Sequence, residues 1–357
     1  MHIVFLLPGH AQKPIGGHKI VYQYANLFIN DGHDVSIVYG ASGLFVKDNL
    51  QDKVKSVLRY IYFKITGNFK PYNWFSLNKK IKLYFKWDLK KSNVPDADKY
   101  VCTSVETAYF LNEYQCGISD KIYFIQDNEN WKWGDEVVRE TWRFSLKKIA
   151  ISKWLVNLIE QTGQKAYLVE NGFDFDNFNL DNPINQRIST NIIMLYHTAA
   201  HKGLPNGLKS LELVKKNIPG LSVNLFGTFP KPADLPDWYI YHQRPDKIKL
   251  RLLYNQAAIF VGSSIEEGWG LTLGESMQCG CAVACTDNKG YQAMAINNAT
   301  ALVSRVGDIP AMAKNIINLI ENDNLRHEIA EKGNSHIKNF DVKSAYEKFK
   351  KGILSHD

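Results

Sequence analysis

The chain has 357 residues, of which 45% are hydrophobic and 22% charged, and a formal net charge of +7. This is the composition of a folded globular protein, and the length predicts two domains rather than one core. No apolar run reaches membrane-spanning length and no secretory signal is found, so an integral membrane or exported protein is not expected. The cysteines form no disulfide framework and are expected to be small buried thiols in a reducing cytosol, without a metal. They are Cys102, Cys116, Cys279, Cys281 and Cys285.

Strands and helices alternate through the first half of the chain. The apolar pattern predicts strands at 2–7, 34–39, 100–103, 121–125, 150–152 and 166–169. A helix is predicted over 18–31, with Ile20, Tyr24, Leu27 and Phe28 on one face and Gly32 as its stop. Such alternation predicts a parallel sheet that is covered by helices on both faces.

Residues 51–92 are both basic and aromatic. Eleven Lys/Arg residues stand against Asp52 and Asp88, and ten aromatic residues lie between Tyr60 and Trp87. This combination suits an anionic membrane surface, and it would also suit single-stranded nucleic acid. The alternative is a pair of helices with aromatic cores and solvated lysines. No nucleic-acid motif accompanies the segment, so nucleic acid is not expected as a partner.

A second alternation follows a polar break at 172–190. Its predicted strands are 191–196, 222–226, 238–242, 258–261 and 282–285, and its helices are 205–217, 246–256, 308–322 and 324–337. We therefore predict an α/β fold with two Rossmann-like domains, 1–171 and 172–340, that face each other across a cleft. The segment 341–357 is predicted to be a helix that crosses back to the first domain. Ligands of such sheets gather at the carboxyl ends of the strands.

The segment from Glu267 to Glu275 carries the strongest functional signal. It follows the strand at 258–261, its glycines suit a tight turn, and a helix is predicted from about Thr272 to a stop at Gly280. An anion held here would meet free N–H groups at the helix N-terminus. This geometry fits a nucleotide-sugar, with the sugar near Glu267 and the ribose near Glu275. Paired carboxylates also occur in glycoside hydrolases, but this spacing favours two hydrogen-bonding roles at opposite ends of one ligand.

Two further loops follow predicted strands. Lys202 is placed to neutralise a leaving diphosphate, although an ordinary surface lysine is the alternative. His197 could be a cation, a proton donor or a hydrogen-bonding core residue. Gly16 and Gly17 could let the backbone approach a phosphate, or they could be a flexible connection. Their loop lacks the dinucleotide G-x-G-x-x-G pattern, which argues against a nicotinamide oxidoreductase.

Together these residues resemble the retaining glycosyltransferases of family four, which have the two-domain GT-B fold. The segment from Glu267 to Gly280 is similar to the E-x7-E signature of that family. The resemblance is close across 190–340 and looser across 1–170. Further matches are Gly16-Gly17, the stretch 169–174, Lys202-Gly203 and Phe226-Gly227.

The resemblance implies a nucleotide-diphosphate sugar donor that is bound mainly by the second domain, and an acceptor that enters over the first. It implies that Glu267 contacts sugar hydroxyls and Glu275 the ribose. It further implies retention of anomeric configuration by front-face attack, without metal or cofactor. The remaining donor-binding positions are Lys202, Gly227, Gly270 and the amides near Gly16, Gly17, Leu271 and Thr272.

Two positions depart from the family pattern. The family usually has an arginine shortly before the Lys-Gly pair, where this chain has Tyr196-His197, so His197 is the candidate replacement. A histidine of the first domain is replaced by Gln126-Asp127, which is similar to the rhamnan-synthesis subset and implies a rhamnosyl or related donor. Asp127 is then the candidate base toward the acceptor hydroxyl.

The resulting expectation is a cytoplasmic, metal-independent hexosyl- or rhamnosyltransferase that builds a surface polysaccharide or glycolipid. Its acceptor would be a glycan or a lipid-linked molecule, and residues 51–92 would hold it to the inner face of the plasma membrane. The competing hypotheses are a degenerate GT-B partner subunit and a sugar-nucleotide epimerase or phosphorylase on the same fold.

Overall fold

The computed structural model describes residues 1–9, 12–41 and 50–355, and the chain divides into two compact units. Unit 1 comprises Met1–Asn171 together with Lys343–Asp357, and unit 2 comprises Gly172–Val342. Across the described ranges, no helix is both long and apolar enough to cross a membrane.

Unit 1 is built on a parallel sheet of seven strands in the order β3-β2-β1-β4-β5-β6-β7. Its elements in chain order are β1 (His2–Pro8), α1 (Gly16–Asn30), β2 (Asp34–Gly40), α2 (Leu50–Thr66), β3 (Lys82–Lys86), β4 (Lys99–Cys102), α3 (Val105–Asn112), β5 (Lys121–Ile125), α4 (Asn130–Trp133), α5 (Asp135–Trp142), β6 (Lys147–Ala150), α6 (Lys153–Glu160) and β7 (Tyr167–Leu168). The central strands β1 and β5 consist mainly of buried apolar residues, as expected for a parallel sheet with both faces covered.

Unit 2 is built on a parallel sheet of six strands in the order β10-β9-β8-β11-β12-β13. Its elements are β8 (Asn191–Leu195), α7 (Leu204–Asn217), β9 (Ser222–Gly227), β10 (Tyr239–Gln243), α8 (Lys247–Gln256), β11 (Ile259–Gly262), α9 (Leu271–Gln278), β12 (Ala282–Thr286), β13 (Leu302–Ser304), α10 (Ile309–Glu321) and α11 (Asp323–Ile337). Leu211, Ile316 and Ile329 from its helices share one core with the buried strand residues.

The last helix, α12 (Val342–Leu354), packs on unit 1. The ring of Phe349 lies 4.7 Å from the rings of both Tyr24 and Phe124, measured between centroids. The Tyr346 hydroxyl donates to Asp31 at the end of α1. This helix therefore contributes aromatic core to a unit whose other elements come from the first half of the chain.

The predicted α/β class with two parallel-sheet domains is confirmed, and the structure differs from the sequence-based expectations at three places. The basic segment holds one helix, α2, and then the edge strand β3, rather than a pair of helices. The strand expected at 150–152 lies at Lys147–Ala150. Strand β13 was not predicted.

Candidate donor site

The loops that follow β8 and β11 lie at the point where the strand order of unit 2 reverses. From β8 the sheet continues to β9 in one direction, and from β11 to β12 in the other. Open parallel sheets bind their ligands at such a point, beyond the carboxyl ends of the strands. The β8 loop carries Lys202 and the β11 loop carries Glu267, so this topology brings the two predicted residues together.

Lys202 and Glu267 form an ion pair. The Lys202 Nζ lies 2.8 Å from Glu267 Oε2, and the side chains are 21% and 11% exposed. The other carboxylate oxygen of Glu267 accepts a hydrogen bond of 2.8 Å from Ser264 Oγ. Both oxygens of Glu267 are thus held by named donors, which fixes the direction in which the carboxylate faces.

Backbone contacts join the two loops as well. The His201 carbonyl accepts from the N–H groups of Ile265 and Glu266 at 2.8 and 3.2 Å. Gly203 has a positive φ of 60°, and a Cβ there would lie 2.1 Å from the Ser263 carbonyl oxygen. Only glycine fits this close approach, because any side chain would collide with backbone.

Tyr291 supports the site from the loop after β12. Its hydroxyl lies 3.2 Å from Ser264 Oγ, and Thr286 and Asn288 donate to the Ser264 carbonyl. A Cβ on Gly270 would lie 2.5 Å from the Tyr291 ring. The sequence reasoning missed this tyrosine, although its place just beyond a parallel strand was a signal that could have found it.

Gly270 immediately precedes helix α9, and its positive φ of 97° turns the chain into the helix. No side chain caps this end, and the first N–H groups of a helix, here those of Leu271 and Thr272, have no intrahelical acceptor. Glu275 lies within α9 and is buried. The predicted stop is confirmed, since Gly280 follows the helix with a φ of 80°.

His197 and Gly227 lie at the ends of β8 and β9. The His197 Nδ1 accepts from the Ala199 N–H at 3.1 Å. Burial, followed by the charge of Lys202, lowers the pKa of His197, so the ring is neutral at neutral pH and does not replace an arginine's charge in this state. Burial and Lys202 lower the pKa of His201 in the same way. A Cβ on Gly227 would lie 2.2 Å from the Tyr196 carbonyl oxygen.

The other predicted residues belong to unit 1. Gly16 and Gly17 begin α1, and a Cβ on Gly17 would lie 3.3 Å from the Gln126 amide nitrogen. The structure thus brings the ends of β1 and β5 together. Asp127 accepts from the Asn128 N–H at 2.9 Å, and Trp131 Nε1 lies 3.4 Å from its other oxygen.

Glu129 was not singled out from the sequence. It has a positive φ of 52°, and its Oε2 accepts from the Val105 N–H at 3.2 Å. Burial raises the pKa of Glu129 to about 8, and nearby Asp127 adds to the shift while the Val105 hydrogen bond opposes it. A carboxyl group that is protonated near neutral pH, on a backbone conformation rare for non-glycine residues, marks a strained position beside Asp127.

The cysteines are free thiols, and four of the five are buried. Burial raises the pKa of Cys102 well above the usual range for a thiol. Within the described residues, no group of three or more His, Cys, Asp or Glu side chains could hold a metal ion.

The unit 2 site combines three kinds of group: an ammonium, a fixed carboxylate, and N–H groups at a helix N-terminus. The ammonium and the amides suit an anionic phosphate, and a carboxylate suits hydroxyl donors. Residues 185–336 match the family model for glycosyl transferases group 1. This match covers most of unit 2, and the two carboxylates of the E-x7-E segment lie inside it.

Among characterised proteins, one glycosyltransferase shows sequence similarity to this chain. CapM of Staphylococcus aureus, a capsular polysaccharide biosynthesis glycosyltransferase, is 23% identical over 184 residues. That alignment covers 47% of this chain and 48% of CapM, so it spans about half the length of the relative.

Solved structures resemble the whole chain. HepE of Anabaena in complex with UDP and glucose aligns with a TM-score of 0.71 at 14% identity, covering 98% of both chains. Sucrose-phosphate synthase of Thermosynechococcus elongatus gives 0.70 at 13% identity with the same coverage. TarM gives 0.73 at 11% identity and covers 99% of both chains. At such identities the likeness establishes the GT-B fold and no more.

Proposed function

We propose that the protein is a retaining glycosyltransferase that moves a sugar from a nucleotide-diphosphate donor to a glycan or lipid-linked acceptor. The observation that carries the proposal is the Lys202–Glu267 pair beside the N-terminus of α9, at the switch point of the unit 2 sheet. The group 1 match over 185–336 and the likeness to CapM support it, and CapM favours surface polysaccharide synthesis as the setting.

In this proposal the donor diphosphate lies on the amides of Leu271 and Thr272, next to Gly270, and Lys202 stabilises its charge as it leaves. Glu267 accepts hydrogen bonds from sugar hydroxyls and Glu275 from the ribose. The Lys202 Nζ already lies 2.8 Å from Glu267 Oε2. The Lys202 ammonium would therefore pair both with the Glu267 carboxylate, which contacts the sugar, and with the donor phosphate. No metal or cofactor takes part in this scheme.

The remaining predicted residues keep auxiliary roles. His197, neutral before the donor binds, is proposed to donate a hydrogen bond to the donor; a nearby diphosphate would raise its pKa. Gly227 holds the β8 and β9 ends together. We propose Asp127 as the base toward the acceptor, and Gly16 and Gly17 as a close backbone approach in unit 1. A rhamnosyl or related sugar is the donor we would test beside the common hexoses.

The first experiment is a thermal-shift screen against UDP, GDP, ADP, dTDP and their sugar conjugates, with Lys202→Met and Lys332→Met as a matched pair. Lys332 also forms an ion pair, with Glu328, but on the surface of α11. We expect one nucleotide series to stabilise the wild type and Lys332→Met. Lys202→Met should lose most of that shift and lower turnover roughly 10²–10³-fold.

Two results would argue against the proposal. If none of the nucleotides shifts the melting temperature, a non-catalytic partner subunit is favoured. If Lys202→Met turns over at the normal rate, this lysine is not part of the site. The anomeric configuration of the product, read by NMR, tests retention separately: an inverted product would overturn the retaining mechanism while leaving glycosyl transfer in place.

A further inference from the structure

Helix α2 has a continuous aliphatic face that points away from unit 1. Val54, Leu58 and Ile65 are 51%, 62% and 78% exposed, and Val57 and Ile61 are also exposed. Residues at these spacings of three and four lie on one side of a helix. A surface helix normally turns such a face toward the core, so this arrangement requires another explanation.

The opposite side of α2 attaches the helix to the sheet. The Tyr60 ring stacks on Phe85 of β3 with centroids 5.7 Å apart, and Phe63 meets Phe85 edge-on at 5.6 Å. Phe63 is only 4% exposed. The aromatic residues thus hold the helix in place, and the orientation of the aliphatic face follows from that packing.

Positive charge surrounds the aliphatic face. Lys55, Arg59 and Lys64 are exposed on α2 itself. Lys79, Lys80 and Lys82, which follow α2 in the chain, are exposed as well. Between residues 54 and 90 the sequence has nine Lys/Arg residues and a single acidic one, Asp88. An apolar stripe flanked by cations is the pattern of a helix that lies in a membrane interface.

We propose that the outward face of α2 inserts into the surface of an anionic lipid bilayer and holds the protein there. The five aliphatic side chains would enter the acyl boundary, while the flanking lysines and Arg59 would meet acidic headgroups. A second copy of the chain is a poorer occupant, because a two-fold contact would place these cations against each other. The inference gives the membrane expectation for residues 51–92 a specific surface, and it does not depend on glycosyl transfer.

The test is flotation of the full chain with vesicles of phosphatidylcholine alone and with added phosphatidylglycerol, without donor or acceptor. We expect binding to the anionic vesicles that weakens as salt is raised. Leu58→Ser with Ile65→Ser should weaken the binding about tenfold or more. Ile248→Ser is the control, since Ile248 is 74% exposed on α8 in unit 2 and should leave binding unchanged.

Three outcomes would overturn the inference. They are equal binding to neutral and anionic vesicles, anionic binding that survives the α2 variants, and a dimer in light scattering that the α2 variants dissociate without any vesicle binding. Because the altered side chains are exposed, the variants should keep the wild-type circular dichroism spectrum. The nucleotide thermal shift is measured on the same variants. It tests the proposed donor site independently of membrane binding.

Discussion

The Glu267 carboxylate is held in place by two contacts, one with Lys202 and one with Ser264. The side chains of Lys202 and Glu267 are partly buried, so neither charge is fully screened by water. Ser264 fixes the remaining carboxylate oxygen, and Tyr291 contacts Ser264 in turn. The carboxylate is therefore set in place before a ligand arrives, which reduces the ordering that binding would require.

At the same scale, Glu129 predicts a pH dependence of stability. Its pKa of about 8 in the folded protein lies above the value of about 4.3 expected when unfolded. The protonated carboxyl thus stabilises the fold below pH ~4, and this contribution is lost as the pH rises through 8. Glu129→Gln removes the titration, so its free energy of unfolding relative to wild type should rise by roughly 3–4 kcal/mol between pH 5 and pH 8.5.

Urea unfolding at the two pH values measures this difference. Glu136→Gln is the control, because Glu136 is an exposed carboxylate at the start of α5. It should follow the wild type at both pH values. If Glu129→Gln also follows the wild type, the carboxyl of Glu129 is not desolvated in solution.

At the scale of elements, Gly203 links the β8 loop to α7 and predicts a localised defect. Gly203→Ala would force a side chain into a left-handed conformation and against the Ser263 carbonyl. We expect a loss of roughly 2–4 kcal/mol in the free energy of unfolding. A smaller nucleotide thermal shift should accompany it, since Lys202 is the preceding residue. Gly220→Ala is the control: a Cβ there meets nothing within 4 Å, and the change should be near neutral.

The elements also show where sequence patterns are informative. The central strands were predictable because both of their faces are buried, which produces uninterrupted apolar runs such as Ile3–Leu7. Strand β3 was not predictable from the sequence. This edge strand has the sequence Lys-Leu-Tyr-Phe-Lys, and only Phe85 in it is buried. A short, mostly exposed segment with a lysine at each end resembles part of a solvated helix as much as an edge strand.

Buried lysines caused a second error. Lys148 is the second residue of β6, and its Nζ donates to the Phe144 and Leu146 carbonyls and to Gln164. Burial lowers the pKa of Lys148 to about 8. A lysine satisfied by backbone carbonyls cannot be distinguished in sequence from a solvated one, so the strand was placed after it instead of around it.

The candidate site followed the same logic. Lys202 and Glu267 were accessible to sequence reasoning because each follows a recognisable parallel strand. The ion pair between them could not be predicted from the sequence, because the order of strands in a sheet is set by tertiary packing rather than by local pattern. The contact of Ser264 with Glu267, and the support of Ser264 by Tyr291, could likewise be seen only in the folded structure.

At the scale of the whole molecule, α12 makes unit 1 depend on the last residues described. Phe349 fills the space between Tyr24, Phe28 and Phe124. Phe349→Ala should cost about 3–5 kcal/mol, as expected for deleting a buried ring. Hydrogen exchange should then rise in α1 and β5, whereas β12 in unit 2 should keep its protection.

Phe260→Ala gives the reciprocal control. Phe260 is buried in β11, and its loss should raise exchange in unit 2 while α1 and β5 stay protected. Faster exchange throughout the chain in both variants would show that the two units unfold together, contrary to this expectation.

The return of the chain to unit 1 also has a consequence for biosynthesis. Asp31 and its partner Tyr346 are 315 positions apart, and the whole of unit 2 is translated between them. At ribosomal speeds of about 5–20 residues per second, roughly 15–60 s pass before α12 can cover Tyr24 and Phe28. Unit 1 is thus begun first, but its core can be completed only after all of unit 2 has been translated. During that interval the aromatic surface of unit 1 that α12 later covers is accessible to chaperones. If α2 has already bound a membrane, that surface is accessible to the membrane as well.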